Sequence, residues 1–402
     1  MPGESPLNMM QPRRQRPRRY PGVAAPPRRR LWPVVLPVCV VIVLAAVWCA
    51  LWYYAAGIAD RTMSGWIARE AAAGRVYTCG SQTISGFPFR IEADCTTAGA
   101  TISSTQPPFA VGAKDVSVAA QVYRPTLLVG EITSPLTVAE PGQPARFVAN
   151  WSRARGSVSG LPPEPDSVSV TLDHPHVDQL AGANGTTLFA ADHAEFQGRI
   201  VGGSAANNPV IDALLTFAAA TTPTLHPLLA DPVQGEVDVV FRGFKDLTPK
   251  PWPQRFREMQ ASGGNIEITR LRLERPDTII VGAGTLTVNA NGKLNGLIRV
   301  GIAGLENIVP KLGIDRLIGR GIDKLNGGSG QAQQGLSALD RLMPGLGGVV
   351  RDSAAASVID SLNKMGQPTE IDKKPAIVLP LNFSDGFVSL GMLPLGEVPA
   401  LF

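Results

Sequence analysis

The residues able to do chemistry are few and scattered along the chain. Its imidazoles are His174, His176, His193 and His226. His174-Pro-His176, with Asp178 close behind, offers two nitrogen donors and a carboxylate in one short stretch, the raw material of a metal site. No helical i, i+4 pair and no cysteine cluster completes that set, so no metal is expected and loop histidines are the plainer reading. Ser361-Leu-Asn-Lys364 has the Ser-x-x-Lys spacing in which a lysine serves a serine nucleophile, but the Ser-Asp-Asn and Lys-Thr-Gly partners of that chemistry are missing. Fingerprints for nucleophile elbows, zinc proteases, phosphate loops and dinucleotides do not occur, so no cofactor is expected and catalysis ranks behind binding. Asn150, Asn184 and Asn382 begin glycosylation sequons, which matter only in a eukaryotic secretory host.

The four cysteines divide by what surrounds them. Cys39 and Cys49 lie in an apolar run and read as small apolar residues, whereas Cys79 and Cys95 flank a short apolar segment outside it. Their state depends on the compartment, and the run itself decides that. Residues 31–59 carry no charge, and a helix over 34–54 would be about 30 Å long, the thickness of a hydrocarbon core. Trp32 at one end and Trp48, Trp52, Tyr53 and Tyr54 at the other suit the two water–lipid interfaces, and Pro33 and Pro37 fall in the first turns. A buried core helix seldom runs so long without a charge. A cleaved signal peptide is the serious rival, but its apolar core is shorter, and this one ends in bulky aromatics, so an uncleaved anchor over 31–58 is expected.

Eight arginines precede the span, Arg28, Arg29 and Arg30 directly before it, and Arg61 alone follows closely. By the positive-inside rule these arginines are topogenic: residues 1–30 form a disordered cytoplasmic tail, drawn also to anionic lipid, and residues 59–402 lie across the membrane. Set against Glu4, the eight arginines put +7 on the tail, so the rest of the chain holds −3 of the net +4. A mildly acidic body lacks the footprint of a nucleic-acid binder. On that side of the membrane disulfides persist, and Cys79 and Cys95 are expected to be joined, closing a loop worth about 3 kcal/mol in the chain-entropy model. A reactive thiol is the alternative, with no Cys-x-x-Cys spacing or neighbouring base in its favour.

A chain of 402 residues, 44% hydrophobic and 17% charged, has enough apolar mass for one large or two ordinary domains, and its 42 glycines and 35 prolines imply many turns. Residues 58–74 read as a short amphipathic helix after the span, with Met63, Trp66 and Ile67 near one face. Strands are expected at 115–122, 127–132, 167–172, 188–200, 235–241, 266–273, 376–381 and 386–390. The clearest hairpin pairs 285–290 with 293–302 across Asn291-Gly292. Single helices are expected at 210–220 and 252–261, and a helical insert at about 305–365, in two segments, 305–326 and 336–365. Pro344 and Gly345 break the second segment, and Gly327, Gly328 and Gly330 loosen the connection between the two. The fold class is mainly β (α+β): an N-terminal transmembrane helix, then an extended, curved antiparallel sheet of hairpins with covering helices near the C-terminus.

The segment Ile84-Ser-Gly-Phe-Pro-Phe-Arg-Ile91 between the cysteines resembles the alphaproteobacterial "domain of unknown function 2125" family. So does the ending, from Leu379-Pro-Leu381 through Asp385-Gly386 to Leu390-Gly-Met-Leu-Pro-Leu-Gly396 and Pro399. The likeness covers nearly all of the chain after the span. It implies a Gram-negative envelope, an inner-membrane anchor and a periplasmic body, and brings no activity or catalytic residue with it. The rhythm of strand and glycine over 284–300 is also similar to repeats of AsmA-like envelope proteins, which are linked with lipids at the envelope.

Two functions therefore compete: a non-enzymatic periplasmic protein that binds lipid or another apolar ligand, and a structural or protein-interaction factor for envelope assembly. An enzyme stands third. If lipid is the ligand, the inner face of the sheet is the expected site, lined by Ile268, Leu271, Leu286, Val288, Leu294, Ile298 and Val300, with Gly296 leaving a gap in the row. Ordinary core under the C-terminal helices is the competing reading of the same residues. An open apolar face would favour lipid, and a covered core with a surface patch would favour a protein partner.

Overall fold

The computed structural model describes residues 32–105, 107–161, 164–181, 184–224, 229–308, 359–391 and 393–402. Arg28, Arg29 and Arg30 lie outside them. The apolar run belongs to helix α1 (Trp32–Ala72), long and apolar enough to cross a membrane once. Its 41 residues amount to about 60 Å of helix. The short helix expected over 58–74 is the end of this one element: only Gly57 and Gly65 weaken the junction, at about 1 kcal/mol each, and no proline follows the span until well past Ala72. The helix stops at Gly74, whose φ of 79° is the left-handed conformation glycine supplies at helix ends. By contacts the chain divides into Met1–Leu51 and a body, Trp52–Phe402.

The body is built on one antiparallel sheet. Strands β1 (Arg75–Thr78) and β2 (Ser81–Ser85) share one edge of β3 (Arg90–Ile102), which pairs on its other edge with β4 (Phe109–Gln121), and β4 with β5 (Arg124–Ala139). The far edge of β5 is shared by β6 (Phe147–Asn150) and β7 (Arg153–Ser159). Next to β7 lies β8 (Ser167–Asp173); next to β6 lies β9 (His176–Ala181), with β10 (Asn184–Ala190) beyond it. From β8 the sheet continues through β11 (His193–Ser204), β12 (Asn207–Ala220) and β13 (Val233–Phe241), each beside the last. Helix α2 (Trp252–Ala261) interrupts the meander before β14 (Asn265–Glu274), β15 (Ile279–Val288) and β16 (Leu294–Ala303) extend it. After α3 (Leu305–Ile308) come β17 (Gln367–Ile371), β18 (Lys374–Ser384), β19 (Phe387–Leu390) and β20 (Leu393–Glu397). Strand β18 docks on β16 and carries β17 and β19 on its other edge, and β20 pairs with β19.

A line of irregularities crosses the first part of this sheet. It passes from Gly80 to Thr97 (φ 52°), through the register shift between Ala113 and Asp115, to Trp151, His174 (φ 49°) and Asp192, and reaches Ala219 (φ 50°) in β12. Backbone groups released there find partners along the line. The Trp151 indole N–H donates to the Ile132 carbonyl (2.8 Å), Ser134 Oγ to the Trp151 carbonyl (3.0 Å) and the His174 amide to the Asp192 carbonyl (2.8 Å). Bulges bend and twist a strand, and aligned bulges curve a sheet. Hence 188–200, expected as one strand, is two, β10 and β11, meeting at this bend.

Residues 210–220, expected as a helix, form strand instead: they are most of β12, hydrogen-bonded to β11 and β13 on both edges. Leu214 adds an apolar residue on the face otherwise held by Asp212 and Thr216, so the alternation is blurred, and a near-continuous apolar run of this length cannot be told from a helix by period alone. Helix α2 has the expected bounds. Of the helical insert, α3 and the helical residues 359–365 are described; 309–358, with Gly327, Gly328, Gly330, Pro344 and Gly345, lie outside the described residues. The largest core cluster joins Leu286, Ile298, Val300, Ile302 and Leu379 of the sheet to Leu305, Ile308 and Leu362. A second, around Phe244, Met259 and Val288, seats α2 and the C-terminal Phe402.

Candidate functional site

Residues paired directly across antiparallel strands share a face, so register converts the sequence into rows. One row runs from Val118 through Gly130, Gly156, Val170, Phe196, Leu215, Val237, Leu271, Gly282 and Val300 to Leu379. A second, two residues away on each strand except β14, where a register shift makes it three, runs from Ala120 through Leu128, Val158, Val168, Gly198, Ala213, Val239, Ile268, Gly284 and Ile298 to Leu381. Neither contains a polar side chain. The opposite face carries Ser117, Glu131, Arg155, Thr171, Glu195, Thr216, Glu236 and Arg272 in one row, with the ion pair Arg155–Glu131 (2.6 Å) on it. One face of the sheet is thus apolar from β4 to β18.

That face is covered unevenly. At its C-terminal end the residues expected to line a groove are packed: Leu286, Ile298 and Val300 are buried in the main core, Val288 is buried against α2, and Leu294 and Ile268 sit at the core margin. Leu271 is half-buried in the next row. Glycine there serves close approach: a Cβ on Gly296 would lie 2.2 Å from the Thr285 carbonyl oxygen, and one on Gly284 2.2 Å from that of Leu297. Toward the middle, Val168, Val170, Phe196 and Leu215 are 37–40% exposed. Four neighbouring large apolar side chains on one face are thus left partly open.

At the N-terminal end the same face forms a groove under α1. Past the span, Met63, Trp66 and Ile67 fall at i, i+3 and i+4 and so share one helix face. Three contacts tie the helix to the edge of the sheet: the Trp52 indole N–H donates to the Arg90 carbonyl (2.9 Å), Gln82 Nε2 to Asp60 Oδ1 (2.9 Å), and Arg75 to both oxygens of Glu70 (2.5 and 3.0 Å). The hydrogen bond from Arg75 holds the Glu70 carboxyl below its ordinary range. The pair therefore stabilises the fold at pH above the usual carboxylate range, and that contribution is lost as pH falls through the lowered value. Trp66 packs on Tyr77 with ring centroids 4.8 Å apart.

Between these ties and the strands β3 to β5 lies a cavity of about 420 Å³. Ala93, Ala98, Ala100 and Ala113 line it where longer side chains would fill it, and Val111, Val116, Val118, Ile132 and Leu136 complete an apolar wall. Cys79 and Cys95 also line it and are disulfide-bonded, with a Cα–Cα distance of 5.6 Å. The bridge lies where the edge strand breaks between β1 and β2, so it closes the wall that the hydrogen-bond ladder leaves open. Tyr77, Thr78, Gln82 and Asp94 complete the lining, which is otherwise apolar.

The histidines lie elsewhere. His174 Nδ1 is 3.3 Å from Ser152 Oγ, His176 Nε2 is 3.8 Å from Asp178, and His193 Nδ1 is 2.9 Å from Asp173, all at or beside the bend in the sheet. His226 lies outside the described residues. Lys364 pairs with Asp360 at 2.5 Å. Among the described residues no three His, Cys, Asp or Glu side chains gather as a metal set. Sequence reasoning reached the faces of β14 to β16 and missed the groove. Its signal was present in the Met63, Trp66 and Ile67 face and in the alternation of small residues at Ala93, Ala98, Ala100 and Ala113.

No curated protein matches the chain. The family described as "Uncharacterized protein conserved in bacteria (DUF2125)" matches residues 52–399, which takes in the groove, the bend and the whole apolar face, and the chain belongs to that family.

Proposed function

We propose that the protein is a membrane-anchored, non-enzymatic lipid binder whose acyl-chain site is the groove under α1. The observation that carries this is a cavity of about 420 Å³ with apolar walls. At about 30 Å³ per small heavy-atom group, the volume of a water molecule, that is room for roughly a dozen methylenes. Each buried methylene contributes about 0.8 kcal/mol, so ten would favour binding by about 8 kcal/mol before the entropy of ordering the chain. The open apolar face beyond the groove gives a longer chain, or a second one, a surface to follow.

The setting we infer is the cytoplasmic membrane of a Gram-negative, alphaproteobacterial envelope, with the arginine tail inside and the body in the periplasm. The arginine asymmetry and the Cys79–Cys95 bridge support that orientation. The similarity of strand rhythm to AsmA-like envelope proteins points the same way. The second reading, a protein-interaction factor for envelope assembly, is favoured by the open middle of the face around Val170, Phe196 and Leu215. The groove favours lipid, because a pocket closed on one side by a pinned helix suits a flexible chain better than a folded partner.

Cells expressing the full chain and fed a photoactivatable fatty acid test the proposal. Ultraviolet light should crosslink lipid to peptides containing Ala98 or Val116. Label confined to residues 34–54, the lipid-facing span, would eliminate the groove as a lipid site.

A further inference from the structure

Two hairpin tips beside Trp52 carry a cluster of exposed apolar side chains whose position identifies what covers them. Strand β2 turns into β3 through Gly86-Phe-Pro-Phe89, and β4 turns into β5 through Val122-Tyr123. The Val122 amide donates to the Phe89 carbonyl (3.0 Å), so the tips are side by side. Phe89 is 64% exposed and Tyr123 70%. Phe87 stands edge-on to Trp52 with centroids 5.5 Å apart and lies 6.5 Å from the Tyr53 ring. Trp52, Tyr53 and Tyr54 close the apolar run 34–54, where aromatic rings of a membrane span occupy the water–lipid interface. The first tip meets two of those rings through Phe87 and the second lies beside the first, so both lie near the depth of the rings. Arg90 and Arg124 flank the tips and suit lipid phosphates; the Arg90 guanidinium keeps 59% of its side chain exposed while pairing with Glu92 at 2.7 Å.

We propose that these two tips are a second membrane contact: Phe87, Phe89, Val122 and Tyr123 enter the headgroup region of the bilayer that holds α1. The foot rests on the tip geometry alone and stands whatever fills the groove. Because α1 is tied to the sheet edge, helix and body turn together about the helix axis, and a foot at the interface fixes one rotation.

The test uses the full chain with Cys39 and Cys49 replaced by serine and a nitroxide on Tyr123→Cys, reconstituted in vesicles of phosphatidylcholine and phosphatidylglycerol in equal parts. The label should be shielded from a water-soluble nickel chelate and open to oxygen, whereas one on Ser104→Cys, in the turn at the other end of β3, should be open to the chelate. A label on Phe89→Cys should behave like that on Tyr123→Cys. Chelate access at 123 equal to that at 104 would overturn the proposal, including the case in which a protein partner is what covers the tips in the cell.

Discussion

Replacing Ala98 and Ala113 together by leucine should abolish lipid crosslinking in the groove while leaving the fold intact. The two residues face each other across β3 and β4 and both line the cavity. Each substitution adds three carbons, and at about 30 Å³ per group the pair takes up some 180 Å³ of the available space. A bound chain that buries about six fewer methylenes is held less tightly by about 5 kcal/mol. Even if most of that is recovered by a shift of the chain along the open face, labelling at Val116 should fall at least about tenfold, the equivalent of 1.4 kcal/mol. The melting temperature should hold or rise, since the new side chains bury apolar surface in an existing void. Unchanged labelling in the doubly substituted protein would place the lipid elsewhere.

The opposite pattern is expected at the far end of the same face. Ile298 is 5% exposed and packed among Leu286, Val300, Leu379 and Leu381. Truncating it to alanine removes transfer free energy and leaves a cavity that the rigid β15–β16 pair cannot close, so urea unfolding should show a loss of about 2–5 kcal/mol. Lipid labelling under conditions where the protein remains folded should not change. A mild loss of stability accompanied by a loss of labelling would mean that the C-terminal residues line a ligand site after all.

Those two expectations also measure how far the sequence could be read. Period-two patterning put Leu286 with Val288, and Leu294 with Ile298 and Val300, on one face; Ile268 and Leu271, three residues apart, join that face only through the register shift between them. Whether a face is covered depends on what packs against it, and in the core around Ile298 that includes Leu362 and Leu379, which are remote in sequence. The groove was only partly legible, through the Met63, Trp66 and Ile67 face, for a related reason. Small residues such as Ala98 and Ala113 carry little hydrophobic signal, and their meaning comes only from a helix held away from them by Trp66, Asp60 and Glu70. The bend was hidden as well, because a left-handed His174 or Ala219 is set by neighbouring strands and has no local signature. The helix expected at 210–220 failed where pairing on both edges overrode a blurred pattern. The long apolar helix, α2 and the hairpin around Asn291-Gly292 were legible because each is fixed by local chemistry, and the disulfide because the apolar run implied an oxidising compartment.

Density for the full chain in lipid nanodiscs, by electron microscopy with a bound antibody fragment to add mass, tests the central claim most directly. A tube of density between Trp66 on α1 and Val116 on β4, continuing toward Ile132, is the predicted result. An empty groove, or Met63, Trp66 and Ile67 collapsed onto Ala98 and Ala113 with no room for a chain, would contradict it.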